Sequence, residues 1–243
     1  MKRIVDILVA GVALIVLSPL LVPIAIAIWA YDRHSPFYVA PRMARGMTTF
    51  QMIKFRSMVV NADKAGVDST GANDQRITGV GKFIRRYKID ELPQLWNVVK
   101  GEMSLVGPRP NVEREVRLYS DVEQRLLSVR PGITDLASIV FADEGDILAD
   151  QDDPDIAYNQ LIRPGKSELG LFYVDRHTTM MDARILALTV MNSLNREKAL
   201  AGVSSVLAKH SADERLVRLA LRQDELVPTP PPGRTTIVTT RDE

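Results

Sequence analysis

The sequence contains no cysteine. That excludes a disulfide scaffold, thiolate metal ligation and a cysteine nucleophile. Histidine is scarce as well. His34, His177 and His210 lie far apart along the chain, so neither a histidine metal site nor a Ser-His-Asp triad is expected. Aromatic residues make up 6% of the chain and do not interleave with a basic stripe, so no nucleic-acid partner is expected. There is no P-loop, no GxGxxG, no GxSxG, no HExxH and no internal repeat. What is present is 243 residues, 46% hydrophobic and 25% charged, enough for a sizeable core and too apolar for global disorder. The net charge of +1 hides a division along the chain. Residues 33–142 hold 17 Lys+Arg against 11 Asp+Glu, and residues 143–243 hold 12 against 17. The middle of the chain is therefore the part suited to phosphates or anionic lipid.

One long hydrophobic run stands out. Residues 4–31 are almost all apolar, broken only by Asp6. As a straight helix the run is about 42 Å long, well over the roughly 20 residues a bilayer core needs. It is too long for a signal-peptide core, and no small-residue cleavage site follows. Ser18-Pro19 and Pro23 interrupt its middle, and proline kinks a helix by removing a backbone donor. Each arm is then roughly 20 Å, too short to span but able to enter and return, with the Ser18 hydroxyl placed to help satisfy a freed carbonyl. Basic residues flank both ends (Lys2 and Arg3; Arg33, Arg42 and Arg45), so charge assigns no orientation to a single span. A tilted span and a re-entrant hairpin both fit these residues.

After the membrane segment, residues 35–40 and 49–55 read as short strands. Residues 61–73, with Gly66 and Gly71, read as a loop. Helices are expected over 79–88, 90–100 (stopped by Gly101), 111–128, 183–200 and 213–226. Residues 133–142 read as a strand and 143–155 as an acidic loop. From Pro228 the chain is proline- and then threonine-rich, which reads as an extended or disordered tail. The amphipathic helix over 213–226 and the tail could instead serve association between copies of the chain.

The densest chemistry lies in residues 77–110. Asp90 and Glu91 stand at an expected helix start with Pro93 in the first turn, where the plain reading is a cap and dipole complement. Arg85 lies upstream, and Arg109 is held between Pro108 and Pro110. An arginine so restricted suits bidentate phosphate contact. Two carboxylates would repel a phosphate unless a divalent cation lies between them, and carboxylate with phosphate oxygens is the usual Mg²⁺ environment. The cluster therefore suits metal-assisted phosphoryl chemistry beside a membrane. Lys54 and Arg56, in Lys-Phe-Arg-Ser-Met, and Arg76, in Asp-Gln-Arg-Ile-Thr, are further cations; alone, these read as an exposed basic edge strand and a loop salt bridge.

Taken in order, these motifs resemble the bacterial sugar transferases, the monotopic polyprenol-phosphate phosphoglycosyl transferases. The likeness runs through Lys2-Arg3 with Asp6, Ser18-Pro19, residues 54–58 and 74–78, Arg85, residues 89–94 and 103–110, and residues 130–134, and continues more weakly over 173–189. It implies an α+β protein, mainly helical, with an N-terminal re-entrant membrane helix broken at Ser18-Pro19 and a few short strands. The implied organisation is residues 1–31 as membrane helix, 32–200 as a cytoplasmic catalytic domain at the bacterial inner membrane, and 201–243 as an extension. The implied reaction moves a phosphosugar from a UDP-sugar to polyprenol phosphate and releases UMP. In the family's pattern the Asp of the pair is the nucleophile and the Glu binds Mg²⁺, which points to Asp90 and Glu91. Lys54, Arg56, Arg76, Arg85, Pro108, Arg109 and Pro110 are then the expected substrate contacts. Two departures, Ala40-Pro41-Arg42 and Asp135 after Pro-Gly-Ile-Thr, leave these motifs intact and bear on the sugar. The rival is a non-catalytic single-span protein carrying a binding domain.

Overall fold

A computed structural model describes residues 2–62 and 74–240. Most of the loop expected over 61–73 lies outside the described residues. The chain is mainly helical with two small two-stranded sheets. Helix α1 (Lys2–Asp32) is the one described helix long and apolar enough to cross a membrane. It remains helical through Pro19 and Pro23. Pro19 cannot donate to Ile15 O, four residues back, and the Ser18 hydroxyl donates to that carbonyl instead, at 2.7 Å. The sequence therefore bends the hydrogen-bond ladder locally without ending the helix.

Both ends of α1 are held by the same body of protein. Near its start, Lys2 Nζ donates to Val106 O, Tyr173 Oη and Asp182, Arg3 donates to Val98 O and Val99 O, and Asp6 accepts from Ser104 and Leu105. At its end, Asp32 takes a two-pronged contact from Arg56, which also donates to Ser35 O. Its buried residues are Asp6, Ala10 and Ile28, and none lies between Ala10 and Ile28. One face of the apolar middle, including Val12, Ile15 and Val16, is exposed, while Leu14 and Leu17 pack partly buried against the main core and Leu21 and Ile24 against the cluster of Ile28, Phe55 and Ile84.

Strands β1 (Phe37–Met43) and β2 (Thr49–Phe55) form an antiparallel hairpin, and Asn97 bridges to β2, accepting from Ile53 N and donating to Gln51 O. Helix α2 (Gly79–Arg86), capped by Thr78, packs Ile84 against Phe55 and Ile28. Helix α3 (Gln94–Lys100) and strand β3 (Ser104–Val106) follow. The helix expected over 111–128 is in fact α4 (Glu113–Arg117), a turn, and a 3-10 stretch Glu123–Ser128. Ser120 and Glu123 bond each other reciprocally, Glu123 N to Ser120 Oγ and Ser120 N to Glu123 Oε2, a capping box that starts a new helical element. The strand expected over 133–142 is cut short for a similar reason. Strand β4 (Gly132–Thr134) ends where Asp135 accepts from Ser138 N and begins α5 (Leu136–Val140). The acidic segment 143–155 contains α6 (Glu144–Ile147) and leads into α7 (Pro154–Ala157).

A π-helical turn, Tyr158–Ile162, joins α7 to the largely buried α8 (Arg163–Arg176). Helices α9 (Thr179–Leu194) and α10 (Arg196–Lys209) meet at Asn195, which caps α10, so the helix expected over 183–200 is two helices. Helix α11 (Glu214–Leu221) closes the order. Ala199, Leu200, Val203, Val206 and Leu207 of α10 and Leu216 and Ala220 of α11 share the main core with Leu136, Ile139, Leu169 and Ile185. At about 1.5–3 kcal/mol per buried large apolar side chain, the extension beyond residue 200 is part of what holds the domain together. The tail is docked too: Val238 is buried and bonded through its carbonyl to Gln160.

Candidate active site

The chain turns sharply just before its two neighbouring acids. Lys88 adopts a left-handed backbone (φ 53°), and Ile89–Glu91 form a single 3-10 turn ahead of Pro93 and α3. Neither acid caps α3, whose first turn has no side-chain cap. Ile89 packs with Ile28, Phe55 and Ile84, so the turn is seated at the foot of α1's C-terminal half. Hydrophobic packing on one side thus presents Asp90 and Glu91 on the other.

Arg109 reaches Glu91 because two strands hold its loop. Gly107 N donates to Thr134 O, and Gly132 N to Pro108 O. The two backbones approach so closely that a Cβ on Gly132 would lie 2.1 Å from Gly107 N, so no larger residue fits. From this brace Arg109 sends Nη2 to Glu91 Oε1 at 2.5 Å and Nη1 to Glu91 Oε2 at 3.0 Å. Lys54, projecting from β2, donates to Glu91 Oε1 at 3.0 Å. Burial alone would raise the Glu91 carboxyl, but the charges and hydrogen bonds of Arg109 and Lys54 outweigh it and hold the group well below the usual range. Asp90 is pushed the other way. Burial and repulsion from Glu91 raise it against the pull of Lys54 and Arg85. Adjacent carboxyls thus differ in character: one is fixed as an anion by its cationic partners, and the other is raised above the ordinary aspartate value.

Lys54, Arg85 and Arg109, with Pro108 and Pro110, line a cleft of about 930 Å³. Arg85 makes a long contact, 3.4 Å, with Ser57 Oγ. Two further expected contacts have carboxylate partners within the chain. Arg56 clamps the end of α1, and Arg76 is bound to Asp74 at 2.6 Å and to Ala62 O. Neither lines the cleft; Asp90 and Glu91 do not line it either, and Glu91 is joined to it through Lys54 and Arg109. Among the described residues, no group of three or more His, Cys, Asp or Glu side chains could hold a metal unaided. Glu91 nevertheless suits a hard cation in part: it is an ionised oxygen donor with three of roughly four lone-pair positions in use, beside a second carboxyl.

A family model described as bacterial sugar transferase matches residues 1–196. The chain belongs to this family. It is 35% identical over 200 residues to a UDP-N-acetylgalactosamine-undecaprenyl-phosphate N-acetylgalactosaminephosphotransferase of Aeromonas hydrophila, covering 79% of this chain and 43% of that protein. It is 33% identical over 202 residues to a UDP-glucose:undecaprenyl-phosphate glucose-1-phosphate transferase of Klebsiella pneumoniae, covering 82% and 41%. It is 39% identical over 153 residues to the exopolysaccharide production protein ExoY of Sinorhizobium fredii, covering 57% and 68%. The chain spans less than half the length of the first two.

The cleft also has residues that sequence reading missed. Arg42, Arg114, Tyr119, Tyr158 and Lys166 line the same cleft. Arg42 was visible only as a departure from the family's pattern. Tyr158 and Lys166 belong to no local motif, and only the fold brings them opposite Arg109.

Proposed function

We propose that this protein transfers a phosphosugar from a UDP-sugar to polyprenol phosphate, undecaprenyl phosphate in bacteria, as a membrane step in exopolysaccharide or other glycoconjugate synthesis. The observation that carries the reading is the Asp90–Glu91 turn at the end of the long apolar helix, with Lys54 and Arg109 bonded to Glu91 and the Lys54 and Arg85 charges acting on Asp90. The names of its relatives support the donor and acceptor classes.

The chemistry proceeds in two displacements. An Asp90 carboxylate oxygen attacks the β-phosphorus of the donor, the bond to the bridging oxygen breaks, and UMP leaves with the electron pair. A phosphate oxygen of the acceptor then attacks the same phosphorus, releasing Asp90 and leaving a polyprenol diphosphate sugar. Two anionic substrates therefore never occupy the site together. Lys54, Arg85 and Arg109 supply fixed positive charge to the phosphate oxygens, and the Glu91 fork keeps Arg109 and Lys54 in place. Mg²⁺, held by Glu91 and donor phosphate oxygens, would add charge neutralisation to the reacting diphosphate.

Membrane attachment through α1 with both ends on the cytoplasmic face is part of the same reading. A helix held along its length by one domain, with one apolar face exposed around two prolines, favours lying in one leaflet over a span. With no native cysteine, one cysteine fused ahead of Met1 and His34→Cys should both be labelled only from the cytoplasmic side. Labelling from opposite sides would return α1 to a span. The activity itself is tested by UMP release from a panel of UDP-sugars, with and without polyprenol phosphate. Asp90→Asn should lower the release about a thousandfold or more; activity within a few fold of the native enzyme would sink the covalent route.

A further inference from the structure

The cleft continues well past the diphosphate-binding cations to a wall built from the π-helical turn Tyr158–Ile162 and the loop around Tyr119. π-turns are rare and concentrate at functional positions. The wall is tied to the Arg109 loop, because Asn111 Nδ2 donates to Tyr119 Oη at 2.8 Å. Beneath it lies a buried pair, Arg163 and Glu123, and Arg163 Nη2 also donates to Leu118 O.

From outside, the tail completes this wall. Pro164 has no N–H to offer Gln160 O, its acceptor four residues back, and Thr229 N fills that carbonyl at 3.0 Å. Gln160 Nε2 in turn donates to Val238 O at 2.7 Å. Ser120 Oγ donates to Pro232 O, and Arg234 Nη2 joins Arg163 on Leu118 O at 3.0 Å. Gly233 (φ 84°) passes so close to Val122 that a Cβ would lie 2.7 Å from its methyl. All of this lies beyond residue 196, where the family match ends.

The chemistry of the wall selects its ligand. Lys166 covers a face of the Tyr158 ring at 5.1 Å, and Arg163 covers a face of the Tyr119 ring at 5.7 Å. Cations already occupy these ring faces, so the rings present hydroxyls and edges instead of an open platform for a stacked base. Glu144, paired with Lys166, and Ser138, whose hydroxyl donates to Asp135, add acceptors at the same end of the cleft. Phenols and carboxylate acceptors suit a polyol. We infer that this wall is the subsite for the sugar of the donor, and that tail residues 229–238 hold it in the shape that sets sugar preference. The inference rests on the transferase reading and names the part of the cleft that discriminates among donors.

The test uses the full chain in detergent or nanodiscs, with UDP-glucose, UDP-galactose and their N-acetylhexosamine counterparts as donors and UMP as product inhibitor. Tyr158→Phe removes one hydroxyl with little change of shape and should lower kcat/KM for the preferred donor about tenfold, narrowing its lead over the others. Arg234→Ala, at a residue outside the cleft that meets its wall only at Leu118 O, should move preference in the same direction by a few fold, and Arg234→Lys should recover part of it. UMP carries the nucleoside without the sugar, so its inhibition constant should stay within about twofold in each variant. Preference unchanged in both Tyr158→Phe and Arg234→Ala would overturn the proposal. So would weakened UMP inhibition at unchanged preference, which would make the wall a nucleoside site. A native protein that releases no UMP from any donor would instead remove the transferase reading beneath it.

Discussion

Glu91 and Glu123 are both buried or nearly buried carboxylates gripped by an arginine fork, and they differ in what is left over. Glu123 is fully buried. Its Oε1 accepts from Arg163 Nε and Ser167, and its Oε2 from Arg163 Nη2 and Ser120 N, filling about the four lone-pair positions a carboxylate offers. Glu91 takes two bonds on Oε1 and one on Oε2, and its cations line an open cleft. A carboxylate that only holds structure is saturated in the dry interior. Glu91, fixed as an anion, keeps about one lone-pair position unused beside the cations that line the cleft.

Breaking each side of this comparison gives opposite signatures. Glu91→Gln should reduce UMP release about a hundredfold or more and move the Mg²⁺ titration to higher concentration, while the thermal midpoint changes little. A native magnesium curve in that variant would reduce Glu91 to a clamp on Arg109. Glu123→Ala leaves Arg163 buried without its counter-charge, which costs about 3–5 kcal/mol. At about 2–4 °C per kcal/mol for a domain of this size, the midpoint followed by circular dichroism should fall by about 10 °C. A fall comparable to that of Glu91→Gln would erase the distinction.

The smallest effect is a pH shift. On the proposed route Asp90 reacts as an anion, and burial with Glu91 beside it raises its carboxyl above the ordinary aspartate value. The acidic limb of the single-turnover rate should therefore lie above that value, with the rate rising as pH rises through it. Lys54 favours the ionised form, so Lys54→Met should move the limb to higher pH, by up to about one unit. A limb that stays in place would remove Lys54 from the electrostatics of Asp90. Stability runs in contrary senses for the two acids. The lowered Glu91 contributes stability above its unfolded value, lost as pH falls through its folded value; the raised Asp90 loses its destabilising charge over the acid range.

Much of the site was legible because it is local. The Ser18-Pro19 repair of Ile15 O, the turn bearing Asp90 and the proline-flanked Arg109 each follow from short-range chemistry in a few adjacent residues. Two misread elements were legible as well. Ser120 with Glu123 is a capping box, and Asp135 with Ser138 is a cap, yet apolar and charged patterning around them suggested one long helix and one long strand. Arg56 and Arg76 were expected at the substrate on motif alone, and their carboxylate partners, Asp32 and Asp74, are visible only in the fold.

By itself the sequence determined the long apolar helix, the acidic pair, the cations around it and the absence of cysteine chemistry. These depend on composition, period and turn chemistry, which act over a few residues. Tertiary structure alone decided that Lys2 meets Asp182, that Arg163 saturates Glu123, and that the tail fills the carbonyl Pro164 leaves open on Gln160. Those partners lie tens to more than a hundred residues apart, and nothing in either segment names the other. Close packing chose them, because a buried polar group left without a partner is destabilising wherever in the chain that partner comes from.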